Sequence, residues 1–129
     1  WSNDASLLKG DNIIMIQEKL TILRENNVIN DLVFDYTQEV LKYLKSQKII
    51  TNEDEADTFI THLAMATARQ YTDEKINSVD QTISDQIKAD KEYETALKCW
   101  NEIAGLAPIA FGKNEEEYLH LHLVTLLNN

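Results

Sequence analysis

The final segment, residues 114–127, constrains the fold more than any other part of the sequence. Read as an α-helix that turns about 100° per residue, it carries apolar side chains around most of its circumference. The main apolar arc contains Leu119, His122, Leu123 and Leu126. Other sides of the same helix carry Leu121, Val124 and Leu127. Because such a helix needs neighbours on nearly every side, the segment predicts a bundle of packed helices.

Two histidines in this segment point in different directions. His122 lies inside the main apolar arc, whereas His120 lies about 160° away around the helix. At most one of them can therefore face a given cluster. For a single histidine on an apolar face, a hydrogen-bonded core position is the commoner role. Asn114, followed three residues later by Glu117, predicts that this helix begins at Asn114.

Four earlier segments also repeat apolar residues at helical spacing. Their inner stripes are Ile13, Ile16, Leu20 and Leu23; Val33, Tyr36, Val40 and Leu44; Ala56, Phe59, Leu63, Ala66 and Gln70; and Tyr93, Leu97, Trp100 and either Ile103 or Ala104. Signals for a helix start are Asp11 or Asn12 in the first segment, Asn30 or Asp31 in the second and Thr51–Asn52 in the third. The first segment ends at Asn26–Asn27, the third at about Tyr71 and the fourth at Gly105. Residues 83–91 are a candidate for one further short helix.

No alternating pattern of polar and apolar residues predicts a strand. The fold class predicted from the sequence is therefore all-α, and the architecture is a compact five-helix bundle of largely antiparallel helices. A chain of this length forms one domain. We expect residues 11–129 to form that domain and residues 1–10 to be a tail or linker.

The composition narrows the possible functions. With 22 acidic and 12 basic residues the net charge is -10, which disfavours direct binding to a phosphate backbone. One cysteine, Cys99, allows no disulfide within the chain, and no apolar run is long enough for a membrane span. We therefore expect a cytoplasmic protein that binds neither nucleic acid nor membrane. Three glycines cannot build a phosphate-binding loop, so the sequence predicts no enzyme and no catalytic residue.

The third helix places Glu55, His62 and Arg69 on one line, because they are spaced by seven residues. This line lies at the edge of the core stripe. His120 and His122 cannot share one tetrahedral metal ion, since residues two apart on a helix point to opposite sides. A metal ion held by His62 and one of these two histidines is a weak alternative, and the sequence otherwise predicts no metal site and no cofactor.

Motifs around two of the histidines resemble those of a known family. The third helix contains T-H-L-A-M-A-T-A-R, and the chain ends with an acidic cluster followed by Y-L-H-L-H-L. An E-Y-x-x-A entry to a helix begins at Glu92. In this order and spacing, from about Asn12 to Leu127, the sequence resembles the PTS regulation domain, or PRD, of bacterial transcriptional regulators and antiterminators. The resemblance places His62 and His122 in register with the histidines of the family and leaves His120 at a variable position.

The resemblance implies a regulatory domain of the sugar phosphotransferase system. His62 and His122 would be phosphoacceptors, and the phosphoryl donor would be the phosphocarrier protein HPr or a sugar-specific component of that system. Phosphorylation would control the transcription of sugar-uptake genes, with a change in the geometry of a homodimer as the means. Arg69 would pair with the phosphoryl group, because a new dianion needs a cationic partner, and Glu55 would support it on the same line.

Several structural expectations follow. His62 and His122 should approach each other, or a symmetry mate, at the partly exposed edge of the bundle, while His120 points elsewhere. Some of Leu121, Val124 and Leu127 should lie in a homodimer interface. Arg69→Ala should leave the unmodified fold nearly intact. The alternative function is a helical homodimerisation module that is not phosphorylated, which is favoured by Thr61 at a position where the family often has an acidic residue.

Overall fold

The structure, a computed structural model, describes residues 14–129. These residues form six α-helices and one short 3-10 turn, and no strand. The elements are α1 (Ile16–Glu25), α2 (Asp31–Ser46), the 3-10 turn (Glu53–Ala56), α3 (Asp57–Arg69), α4 (Gln81–Lys88), α5 (Tyr93–Gly105) and α6 (Lys113–Leu127). The all-α prediction is confirmed. The tail or linker predicted for residues 1–10, and Ile13, lie outside the described residues.

The predicted count of five helices is wrong, because residues 81–88 form a helix of their own. The side chain of Asp80 accepts a hydrogen bond from the backbone N–H of Thr82 and caps this helix, α4. Local capping of this kind supplies a partner for an N–H that the first turn leaves free. The sequence indicates residues 83–91 only as a candidate for this helix.

Two helices begin at residues other than those predicted. α1 begins at Ile16, after an extended Met15, because the carboxylate of Asp54 accepts a hydrogen bond from the N–H of Ile16 at 2.7 Å. α6 begins at Lys113, and Asn114 does not cap it. The side chain of Asn114 instead donates a hydrogen bond to the carbonyl oxygen of Ile76. Both starting points depend on residues distant in sequence.

Helices α3 and α6 lie at the centre of the bundle. α3 packs against α1, α2 and α6, and α6 packs against α3, α4 and α5. The predicted stripe of α2 is fully buried, and so are the first four members of the α3 stripe. Leu119, Leu123 and Leu126 are also buried. The helical periodicity of the sequence therefore identified most of the core. In α5, however, Tyr93 and Leu97 are only half-buried, and Ala96 and Cys99 are buried beside Trp100 and Ile103.

Helix α4 covers part of the apolar surface of α6 that was expected to contact a second copy. Val124 is only 2% exposed within the single chain, so it offers little surface to a second copy, and the homodimer stays a prediction. Leu121 and Leu127 are half-buried, and Ile87 of α4 packs against the core. Within residues 14–129, none of the helices combines the length and apolar composition needed to cross a bilayer.

Candidate functional site

Helices α3 and α6 pair through two contacts that are seven residues apart on each helix. His62 of α3 meets His122 of α6, and Arg69 of α3 meets Glu115 of α6. Because the second contact lies later in α3 and earlier in α6, the two helices are antiparallel. Each seven-residue step is two helical turns, or about 10 Å along the axis. The histidine pair and the ion pair therefore lie on the same side of the two helices.

The histidine pair is a stack of two imidazole rings. The ring centroids of His62 and His122 are 4.0 Å apart and their planes differ by 9°. His62 is exposed and His122 is half-buried, which places the pair at the edge of the bundle. Burial, followed by the nearby His62, lowers the pKa of His122 to about 4. The His122 ring is consequently neutral at pH 7 and keeps an unprotonated nitrogen.

The ion pair is bidentate and largely shielded from water. Arg69 donates from Nε to Glu115 Oε2 at 2.6 Å and from a terminal guanidinium nitrogen to Glu115 Oε1 at 3.0 Å. Glu115 is only 5% exposed. The hydrogen bond to Glu115 raises the pKa of Arg69. Charge-assisted, two-pronged pairs of this kind hold both side chains in one orientation.

Further hydrogen bonds join the end of α3 to the start of α6 around this ion pair. The amide nitrogen of Gln70 donates to Glu115 at 3.3 Å, and its oxygen accepts a bond from the N–H of Gly112. The contact of Asn114 with Ile76 ties the loop after α3 to the same turn of α6. The first turn of α6 is therefore attached to α3 by side chains on both helices.

An open groove of about 500 Å³ runs beside the two contacts. Its lining combines the four side chains of the two contacts with Tyr118 and with apolar side chains: His62, Ala66, Arg69, Ile76, Glu115, Tyr118, Leu119, Leu121 and His122. The small side chain of Ala66 lies between the two contacts on α3 and leaves room there. Among the described residues, no group of three or more His, Cys, Asp or Glu side chains is placed to hold a metal ion.

His120 occupies a different environment on the opposite side of α6. Its ring meets the edge of Trp100 at a centroid distance of 5.9 Å, and it lines a cavity of about 20 Å³ beside α4. Burial lowers the pKa of His120, against the opposing effect of Glu116 and Glu117. Its Nε2 atom is buried with no hydrogen-bond partner in the described part of the chain. The prediction that His62 and His122 meet while His120 points elsewhere is confirmed.

The structure separates the other predicted site residues. Arg69 lines the groove, but its guanidinium is occupied by Glu115. Glu55 belongs to the 3-10 turn before α3, and its carboxylate accepts a bond from the N–H of Thr51. It is not among the residues that line the groove. The roles of His62 and His122 as phosphoacceptors, and of Arg69 and Glu55 as their partners, stay predictions.

Glu115 is the charged residue of the site that sequence reasoning did not single out. It was noticed only as part of an acidic cluster. A signal was nevertheless present, since Glu115 precedes His122 by the same seven residues by which Arg69 follows His62. Where two antiparallel helices touch at one pair of residues, the residue seven positions later in one helix and the residue seven positions earlier in the other also meet.

Comparison with protein-family models gave a match to the PRD domain over residues 38–126. No curated protein and no solved structure gave a match. The matched region begins within α2 and includes all of α3 to α5 and most of α6, so it contains both contacts of the groove. Because the match covers more than half of the sequence, the chain belongs to the PRD family, whose members are regulatory domains controlled by the phosphotransferase system.

Proposed function

We propose that this chain is a regulatory domain that accepts a phosphoryl group on His62 or His122 and thereby controls the transcription of sugar-uptake genes. The observation that carries the proposal is the pair of stacked imidazole rings at the open edge of a groove. The low pKa of His122, about 4, supports it further, because a phosphoacceptor needs an unprotonated nitrogen.

The transfer step requires no additional base. The lone pair of the unprotonated ring nitrogen forms a new N–P bond, and the N–P bond of a phosphohistidine donor breaks with its electron pair returning to the donor ring. Each ring keeps the hydrogen on its other nitrogen. HPr or a sugar-specific component of the phosphotransferase system is the proposed donor, since both carry a transferable phosphoryl group.

The proposed output is a change in a homodimer. The phosphoryl group adds about two negative charges to a groove whose walls include the apolar side chains of Ala66, Ile76 and Leu121. A second copy packed on this groove would meet that charge at its interface, where desolvation makes it costly. Phosphorylation should therefore shift the dimer equilibrium or its geometry, and an attached output module would respond.

Phosphoryl uptake tests the proposal directly. The protein is incubated with HPr, its upstream kinase and phosphoenolpyruvate, and its intact mass is measured before and after mild acid treatment. We expect the mass of one or two phosphoryl groups, lost in acid as phosphohistidine requires. Sedimentation of both forms then tests the dimer. An unchanged mass would favour the alternative, a helical dimerisation module that is not phosphorylated.

A further inference from the structure

Arg69 is the one basic side chain among the described residues that line the groove, and it is already engaged. Both of its hydrogen bonds to Glu115 are short, and Glu115 is almost completely buried. A buried carboxylate that loses its cationic partner is strongly destabilised, because its charge then stays out of water without compensation. Glu115 therefore holds Arg69 strongly in the unmodified protein.

A phosphoryl group on either histidine would create a second anion in the same groove. His62 and Arg69 are about 10 Å apart along α3, and the arginine side chain is long and flexible enough to cover much of that distance. Two anions would then compete for one cation. A dianionic phosphoryl group offers the guanidinium the same two-pronged geometry as a carboxylate, with more charge.

We propose that Glu115 is a competing anion that holds Arg69 until the phosphoryl group arrives, an inference that rests on the proposed function. Transfer of Arg69 from Glu115 to the phosphoryl group then loosens the first turn of α6 from the end of α3. Glu115 would be a positioning residue, since it acts through Arg69.

The surroundings of Glu115 allow it to release the arginine. It lies in the first turn of α6, where the positive end of the helix dipole favours an anion. The amide of Gln70 remains as a donor at 3.3 Å. Water can reach the carboxylate once the turn moves outward. The bonds between Gln70 and Gly112 and between Asn114 and Ile76 also join that region to the end of α3 and the loop after it, so they should weaken together. The bond from Trp100 Nε1 to Glu116 Oε2 joins the turn to α5 instead.

The equilibrium of phosphoryl transfer between HPr and the domain tests the competition. Glu115→Gln removes the competing charge, and we expect it to shift the equilibrium toward the phosphorylated domain by about tenfold, within the usual range for coupling between two sites. Glu117→Gln is the matched control, because it removes the same charge from the same helix at a residue that lines the His120 cavity. Adding Arg69→Gln should abolish the gain that Glu115→Gln produces.

Hydrogen exchange of the backbone amides tests the structural consequence. In the wild-type protein, phosphorylation should accelerate exchange in residues 70–76 and 112–116 by about tenfold, as a weakened local unit requires, but not in α2. Glu115→Gln should show the faster exchange before phosphorylation. If Glu115→Gln does not fold, Glu115→Asp takes its place in this test. Aspartate keeps the charge but has a shorter reach, so this variant should show a smaller change in the same direction.

The outcomes separate the two proposals. Normal phosphoryl transfer to the wild-type protein, with equal effects of Glu115→Gln and Glu117→Gln, would overturn the competition while the proposed function stands. Normal transfer with unchanged exchange at the start of α6 would also overturn it. Absence of transfer to the wild-type protein would refute the proposed function, and the competition with it.

Discussion

His120 and His122 lie two residues apart on opposite sides of α6, and the bundle gives them different surroundings. On one side, α4 and Trp100 enclose His120 beside a cavity of about 20 Å³. On the other, His122 stacks on His62 at the edge of a groove of about 500 Å³. Burial lowers the pKa of both rings. A low pKa therefore does not distinguish the two histidines, whereas access to a donor protein does.

The difference shows how one helix can serve stability on one side and reactivity on the other. α6 is apolar around most of its circumference, so it needs cover, and α4 supplies that cover on the side of His120. Among the described helices, α3 covers the side of His122, and its Ala66 leaves space beside the rings. Four experiments test or sharpen this contrast, and the first has the largest expected effect.

Exchange of the histidines for asparagine should separate the two sides completely. The double variant His62→Asn/His122→Asn should take up no phosphoryl group from HPr, because both accessible imidazoles are gone. His120→Asn carries the same chemical change on the enclosed side and should take up as much as the wild type. Intact mass measures the uptake, and circular dichroism shows whether each variant is folded. Uptake that disappears in His120→Asn and survives in the double variant would reverse our assignment.

Loss of the ion pair should be the largest effect on stability. The sequence suggested that Arg69→Ala would leave the fold nearly intact, but Arg69 neutralises the buried Glu115, so we now expect the opposite. Arg69→Gln should lower the free energy of unfolding by roughly 2–4 kcal/mol, because it leaves a buried carboxylate without a cation.

Urea denaturation provides the measurement, and a second change provides the control. Adding Glu115→Gln to Arg69→Gln should restore part of the loss, since the uncompensated charge is then removed. Glu117→Gln, on the side of α4, should change stability by less than about 0.5 kcal/mol. Equal losses in Arg69→Gln and in the double variant would show that the ion pair stabilises the α3–α6 contact by packing and not by charge.

The pH dependence of stability should report on His122. Its pKa in the folded protein, about 4, lies below the ordinary value near 6.5, so between these two values the unfolded chain binds the extra proton. The free energy of unfolding should therefore be highest above pH 6.5 and should fall as the pH is lowered toward 4. The full shift corresponds to about 3 kcal/mol, which solvent screening of a half-exposed ring reduces to about 1–2 kcal/mol.

His122→Asn should remove this contribution, and the comparison with the wild type cancels the carboxylates that titrate in both proteins. Urea denaturation at several values between pH 4 and pH 7 measures the slope. His120 contributes in the same direction, since burial lowers its pKa as well, so a smaller slope should remain in His122→Asn. Identical slopes in the two proteins would contradict the burial of the His122 ring.

Removal of part of the cover over His120 should have the smallest effect. Ile87 of α4 lines the His120 cavity, and Ile87→Ala should cost about 1 kcal/mol, less than a fully buried site would. Wetter surroundings should raise the pKa of His120 toward its ordinary value and leave that of His122 unchanged. NMR titration of the ring protons follows both. A change at His122 instead would show that the two sides of α6 are coupled.

Features with a local cause were predictable from the sequence. The stripe of Val33, Tyr36, Val40 and Leu44 is buried as predicted, because the period of the helix depends only on neighbours a few residues away. Asn30 caps α2 through a bond to the N–H of Val33, which also requires only three residues of separation. The opposite directions of His120 and His122 follow from the same periodicity.

Contacts between distant residues were decided only by the tertiary structure. Asp54 sets the start of α1, and Asn114 turns away from its own helix to bind Ile76. Arg69 faces Glu115, which is 46 residues away, and α4 covers part of the apolar surface of α6. A helical sequence determines which residues share a face, but it does not determine which other face meets them. That choice depends on how all six helices pack together, so the partners of a charged side chain emerge only in the folded bundle.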